Sequence, residues 1–386
     1  MRGVLTRASA AIDRSVVRFM ERRMTAMAPR LRAARGTSLR APHPEDGRRQ
    51  LIELAAAYGD GTLGVPSRFF PAPDEPAVRM TRVGDGPLGT QVVDLAYPSD
   101  YEPFLPAARE PHLRVTENLT CHARWWTSDR GRPVLVLLHG WAGGTHWVTE
   151  RTFAVDYWLR HGYDVAAYVL PFHGDRAPRM HPLRSLDSGA LFPSANPVRT
   201  NEGFGQAIFE LRALSRFLRG RGAPVVGALG MSLGGYTTAL WASVAGPADA
   251  GGIDFAVAMI PAVSMARLMW RHGERSPERL RAVQAGITED LLTDVFAVHA
   301  PTTRPARLAP DRLFVIGGRG DRITPPAHAE ALAAHWGVEV RWFDGGHLAQ
   351  LGRGEVLRDV RRALGQLGLP GRAFRGPSRG PRGHAP

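Results

Sequence analysis

The 386-residue chain contains no lysine; all 49 of its basic residues are arginine. That absence excludes a P-loop, whose lysine reaches the terminal phosphates of a nucleotide, and the chain carries no such glycine-rich motif. Together with abundant alanine, glycine and proline, it points to a GC-rich bacterial gene, so codon bias accounts for the arginine as readily as function does. Cysteine is limited to Cys121, which excludes a disulfide framework and a cysteine-based metal site. A small apolar role on a strand is expected for it. No run approaches the roughly 20 apolar residues of a membrane-spanning helix. Arginines interrupt each apolar run before residue 35, so the N-terminus does not read as a secretory signal and a cytoplasmic location is expected. What remains, 44% hydrophobic and 22% charged, is ordinary for a protein with a sizeable core.

A net charge of +13 suggests a nucleic-acid partner until it is located. Residues 1–50 hold 12 Arg against 4 acids and residues 353–386 hold 8 against 2, whereas 51–352 hold 29 against 30. The basicity lives in two tails on a neutral body, which argues against nucleic-acid binding as the main function. Binding through the tails would betray itself by a steep salt dependence.

Residues 1–40 form a basic leader. Ile12, Val16, Met20, Met24 and Met27 recur at helical spacing with arginines between, predicting one amphipathic helix ended by Pro29. It is expected to pack on the protein's own body or a second subunit, or to touch an anionic membrane surface. Residues 41–132 read as an extension with short strands at Gln91–Tyr97 and Leu113–Trp126. From 133 to 369 the pattern becomes strand–helix alternation. Strands are predicted at Val134–Leu138, Asp164–Leu170, Pro224–Leu229, Phe255–Ile260, Leu313–Ile316 and Val338–Phe343. Helices are predicted at His146–Leu159, Gly203–Leu218, Leu233–Val244 and Val356–Gln366. Such alternation specifies an α/β fold with a mostly parallel sheet and helices on both faces. Residues 261–310 interrupt it as a helical insertion, expected to act as a lid. Residues 370–386, rich in Gly, Pro and Arg, read as a disordered tail.

Gly230-Met231-Ser232-Leu233-Gly234 fits G-x-S-x-G with a buried strand before it and an apolar helix after it. A serine on a sharp strand-to-helix turn is a candidate nucleophile, and it needs a base oriented by an acid. Asp321 and His347 each follow a strand end, in the order Ser, Asp, His. Asp344 competes for the acid role but reads as a turn residue. Oxyanion donors are expected from the backbone N–H of Leu233 and from the His139–Gly144 loop, with Trp141 favoured over Ala142. His139 reads as a structural hydrogen-bonder of that loop. Met265, Met269 and Trp270 in the insertion, with His173, are candidates for the substrate pocket, although lid packing explains the first three equally well. No cofactor is required, and no His/Cys/Asp constellation has metal spacing.

His-Gly-Trp-Ala-Gly at 139–143, Gly-Met-Ser-Leu-Gly-Gly at 230–235, Gly-Asp-Arg-Ile-Thr-Pro-Pro at 320–326 and Gly-Gly-His-Leu at 345–348 resemble the signature loops of α/β hydrolases. The resemblance covers about residues 130–366. It implies the α/β-hydrolase fold with an eight-stranded sheet and a late helical lid, and an ester, thioester or amide as substrate. The Pro171–Arg176 loop and Ser188-Gly189 are distantly similar to the group around α/β hydrolase domain-containing protein 18. A serine hydrolase acting on a small acyl substrate, with a preference for an apolar acyl group, is therefore expected. A serine peptidase or thioesterase is the alternative within the fold, and a non-catalytic binding protein the alternative outside catalysis.

Overall fold

A computed structural model describes residues 3–15, 17, 18, 44–180, 187–272, 274 and 276–369. Nine strands form one sheet: β1 (Arg79–Asp85), β2 (Gln91–Pro98), β3 (Thr120–Thr127), β4 (Val134–Leu138), β5 (Asp164–Tyr168), β6 (Val226–Met231), β7 (Phe255–Met259), β8 (Leu313–Gly318) and β9 (Val340–Phe343). Their order is β1-β2-β3-β5-β4-β6-β7-β8-β9. The pairs from β1 to β5 are antiparallel and those from β5 to β9 parallel.

Every residue of β4, β5, β7 and β8 is buried, as expected for strands covered on both faces. The helices among the described residues are α1 (residues 3–15), α2 (Pro44–Gly59), α3 (Pro106–Leu113), α4 (His146–Phe153), α5 (Val155–Arg160), α6 (Pro197–Gly220), α7 (Leu233–Val244), α8 (Met265–His272), α9 (Pro277–Gln284), α10 (Glu289–Phe296), α11 (Pro326–Trp336) and α12 (Arg353–Gln366). Alternation within β4 sorts them into two layers. Val134, Val136 and Leu138 join one core with Phe204 of α6, Trp241 of α7 and Leu332 of α11. Leu135 and Leu137 join the other with Trp158 of α5 and Val360 of α12. Strand order reverses at β4, flanked by β5 and β6, which places a crevice at the C-terminal ends of these strands.

The eight-stranded expectation is corrected to nine. The sheet also runs across the boundary expected at residue 132, because β2 and β3 hydrogen-bond into it and Trp125 and Trp126 of β3 are buried. β1 is the outer edge strand and is largely exposed. The strand predicted from Leu113 begins only at Thr120. Asn118 turns inward instead, donating to Gln206 Oε1 (2.8 Å) and accepting from the Phe172 N–H (2.9 Å), which holds the preceding residues in a 3-10 turn. The helix predicted over His146–Leu159 is two helices, broken where Ala154 adopts a left-handed conformation (φ 51°). The helix α2 was not anticipated.

The described part of the leader helix packs on the protein's own body, one of the expected placements, through a face that excludes Ile12. Ser9, Ala10 and Asp13 of α1 are buried, while Ile12 is 47% exposed. Val16, Met20, Met24, Met27 and Pro29 lie outside the described residues, as do residues 370–386. Residues 261–310 contain α8, α9 and α10, with α10 lying against α2 and α8. No described helix is long and apolar enough to cross a membrane.

Candidate active site

Ser232 sits between the end of β6 and the start of α7, with φ 58° and ψ −113°, a conformation non-glycine residues rarely adopt. Its N–H donates to Met259 O of the neighbouring strand (3.0 Å), and its carbonyl accepts from Tyr236 N (2.9 Å), the first turn of α7. The two glycines of the pentapeptide are sterically required. A Cβ on Gly230 would lie 2.0 Å from Gly234 O, and one on Gly234 would lie 1.9 Å from Leu138 O. The turn is therefore packed directly on the end of β4. Leu233, buried, is the first residue of α7, so its backbone N–H belongs to a helix N-terminus.

His347, in the loop after β9, directs Nδ1 at Asp321 Oδ2 (2.8 Å), in the loop after β8. Asp321 is fully buried, and its Oδ1 accepts from the N–H groups of Ile323 and Thr324 (both 2.8 Å). A carboxylate accepts only, so Nδ1 carries the proton and Nε2 holds a free lone pair. Asp344 instead lies 3.8 Å from Arg319 Nε. Burial pushes the His347 imidazole down, but the Asp321 charge and hydrogen bond, with a further contribution from Asp13, hold it above the ordinary histidine value. Two members of this cluster escaped the sequence reading. Thr324 Oγ1 lies 3.0 Å from Asp321 Oδ2, 3.0 Å from Ile260 O and 3.1 Å from His347 Nδ1. Asp13 accepts from the His347 backbone N–H at 2.8 Å.

The His139–Gly144 loop folds over the serine. A Cβ on Gly140 would lie 3.5 Å from Ser232 Cβ. His139 Nδ1 lies 2.8 Å from Gly140 O and Nε2 accepts from Leu170 N (3.1 Å), which fixes the neutral Nδ1-protonated tautomer. Burial lowers its pKa to about 4. Trp141 is 42% exposed and donates Nε1–H to Gly189 O (2.8 Å). Ser188 Oγ reaches Gly143 O (2.6 Å) and accepts from Gly174 N (3.0 Å), stitching this loop to the one after β5. A Cβ on Gly189 would meet both His173 Nε2 and Trp141 Nε1 at 2.8 Å. His173 is thus a buried wall beside Trp141, with Nδ1 2.8 Å from Pro171 O and its ring centre 5.0 Å from that of His139. Burial holds it well below the ordinary value.

The other pocket candidates lie on α8, whose His272 Nε2 is 2.8 Å from Ile323 O in the loop that carries Asp321. Met265 is 2% exposed and belongs to the core with Leu332 and Trp336; Met269 packs on the same core. The Trp270 ring is covered by the Arg279 guanidinium at 3.7 Å. Among the described residues no group of three His, Cys, Asp or Glu side chains is arranged to hold a metal ion.

This sheet, with the Ser232 turn after β6 and the Asp321 and His347 loops after β8 and β9, is the α/β-hydrolase fold. An acetyl xylan esterase from Paenibacillus sp. R4 has a similar structure, with a TM-score of 0.50 at 14% identity over 82% of this chain and 94% of that one. No family model matches the chain. In sequence it is similar to two uncharacterized proteins of Mycobacterium tuberculosis. MT2702 is 29% identical over 337 residues, 82% of this chain and 75% of that protein. Rv2627c is 28% identical over 277 residues, 69% of this chain and 63% of that protein. These matches lend no support to the narrower likeness to α/β hydrolase domain-containing protein 18.

Proposed function

We propose that the protein is a serine hydrolase that cleaves a carboxylic ester through an acyl-enzyme. The observation that carries this reading is the convergence of a serine in a left-handed turn with a buried His347–Asp321 pair on one edge of the sheet. Ser232 Oγ attacks the acyl carbonyl while His347 Nε2 takes its proton. The oxyanion is met by the N–H groups of Leu233 and Trp141, each donor worth on the order of 2.7–4 kcal/mol. His347 returns the proton to the departing alcohol, and water, activated by the same imidazole, releases the acid. An ester is preferred to a thioester or amide because the structurally similar acetyl xylan esterase bears that name. An apolar acyl group is favoured because Trp141, which follows the Gly140 that packs on Ser232, and Leu348, which follows His347, are exposed apolar side chains.

The test is labelling with a fluorophosphonate probe together with turnover of a p-nitrophenyl ester chain-length series. Ser232→Ala should lose the label and slow turnover on the order of a million-fold. A folded wild-type protein with neither label nor turnover at any chain length sinks the proposal in favour of a non-catalytic member of the fold.

A further inference from the structure

We infer that Asp13, on the N-terminal helix α1, is a positioning residue for this site, its carboxylate clamping the Asp321 loop to the His347 loop. The inference rests on the reading of Ser232, His347 and Asp321 given above. Asp13 is fully buried. Its Oδ2 accepts from the backbone N–H of His347 (2.8 Å) and of Arg322 (3.1 Å), and its Oδ1 from that of Leu348 (3.2 Å). Arg322 directly follows Asp321, so one carboxylate holds the backbone on both sides of the acid–base hydrogen bond.

The rest of α1 is shaped for the same contact. Thr6, Ser9 and Asp13 lie at helical spacing on one face. Thr6 Oγ1 donates to Asp344 O (2.9 Å). A Cβ on Gly320 would lie 2.8 Å from Thr6 O, and one on Gly346 would lie 2.6 Å from Asp13 Oδ2 and 3.2 Å from Ser9 Cβ. The glycines before the acid and the base thus admit the helix as well as bending their loops. What the helix adds is a fixed acceptor behind the base and a negative charge near it. The charges acting on His347 are Asp321, from the loop after β8, and Asp13, from α1.

The experiment uses the full chain with Asp13→Asn and Asp13→Ala. The His347 imidazole is titrated by long-range proton–nitrogen NMR, with its signal assigned by loss in His347→Gln, and kcat and KM are measured across pH. Both variants should titrate at lower pH than wild type, and the acid limb of the rate profile should move with them. Asp13→Ala should lower kcat on the order of 100-fold, as expected for a misplaced catalytic group, with KM little changed. Asparagine, which keeps one acceptor oxygen, should lose less. An unmoved His347 titration in a folded variant overturns the inference, even if activity falls, because loss of a merely structural contact would lower the rate without moving the imidazole. If neither variant folds, hydrogen exchange of the wild type decides. Slow exchange of the Arg322, His347 and Leu348 amides supports the clamp, and rapid exchange refutes it. An inactive wild type would sink the esterase reading alone, since the imidazole titration does not depend on turnover.

Discussion

Arg176→Met should destabilise the protein by about 3–5 kcal/mol, the cost of leaving a buried charge without its partner. Arg176 and Glu210 are both fully buried. Arg176 Nη1 donates to Glu210 Oε2 (2.6 Å), Tyr168 Oη (3.0 Å) and Val169 O (3.1 Å), and Nη2 to Glu210 Oε1 (2.7 Å) and Asn118 O (2.9 Å). Glu210 also accepts from Gln206 Nε2 (2.8 Å), Ser99 Oγ and Tyr168 Oη. The pH dependence separates this account from simple loss of packing. In the wild type, burial raises the Glu210 carboxyl, but the Arg176 charge and hydrogen bonds outweigh it and hold the pKa down. That stability is present above the unfolded carboxylate pKa, about 4.3, and is lost only as pH falls through the lower folded value. In Arg176→Met burial acts with the arginine gone, so the folded pKa lies above the unfolded one. The folded state then keeps a proton that the unfolded state releases, and stability falls as pH rises from about 4.3 toward that raised value. The gap between variant and wild type should therefore widen with pH. Urea unfolding followed by tryptophan fluorescence at about pH 5 and about pH 8 reads it. An equal gap at both pH values, or a loss below about 1 kcal/mol, would refute the reasoning.

Two further outcomes are expected. On the serine-hydrolase reading His347 is neutral when it takes the serine proton, and its pKa is raised, so the acid limb of kcat/KM should have its midpoint above the ordinary histidine value of about 6.5. A pH–rate profile still at its plateau below that value would contradict the assigned base. Thr324→Val removes a hydroxyl that lies between Asp321, Ile260 O and His347, and should lower kcat by roughly tenfold, the equivalent of one neutral hydrogen bond. A rate equal to wild type would show that Asp321 is held by its two backbone donors alone.

The parallel half of the sheet was legible because strands buried on both faces read as unbroken apolar runs, and β4, β7 and α7 fall within a residue of where those runs end. The serine turn was legible because its steric demand needs glycine on both sides, which leaves a pattern in the text. The docking face of the leader helix was not legible, because an apolar stripe signals burial only when the contact is hydrophobic. Here the buried residues are Ser9, Ala10 and Asp13, with Thr6 half-buried beside them; Thr6 and Asp13 dock through hydrogen bonds to backbone, and Ile12 faces outward. Asp13 itself carries no local signal, since its partners lie 309 to 335 residues away. For Met265 the text offered pocket and core equally, because an apolar residue near a predicted site is as ready to fill one as the other; in the structure it is buried in the core.

The clamp has a consequence for when the protein becomes competent. Asp13 is synthesised first and its acceptor contacts are made with His347, 334 residues later. Closing so long a loop carries an entropic cost that grows only slowly with length, so the contact is affordable at equilibrium but late in time. The helix must wait, exposed, until β8, β9 and their loops have been translated and folded. On the esterase reading, a chain still on the ribosome would hold its serine turn before its base is locked, and hydrolysis would reach its full rate only once α1 meets the loops after β8 and β9.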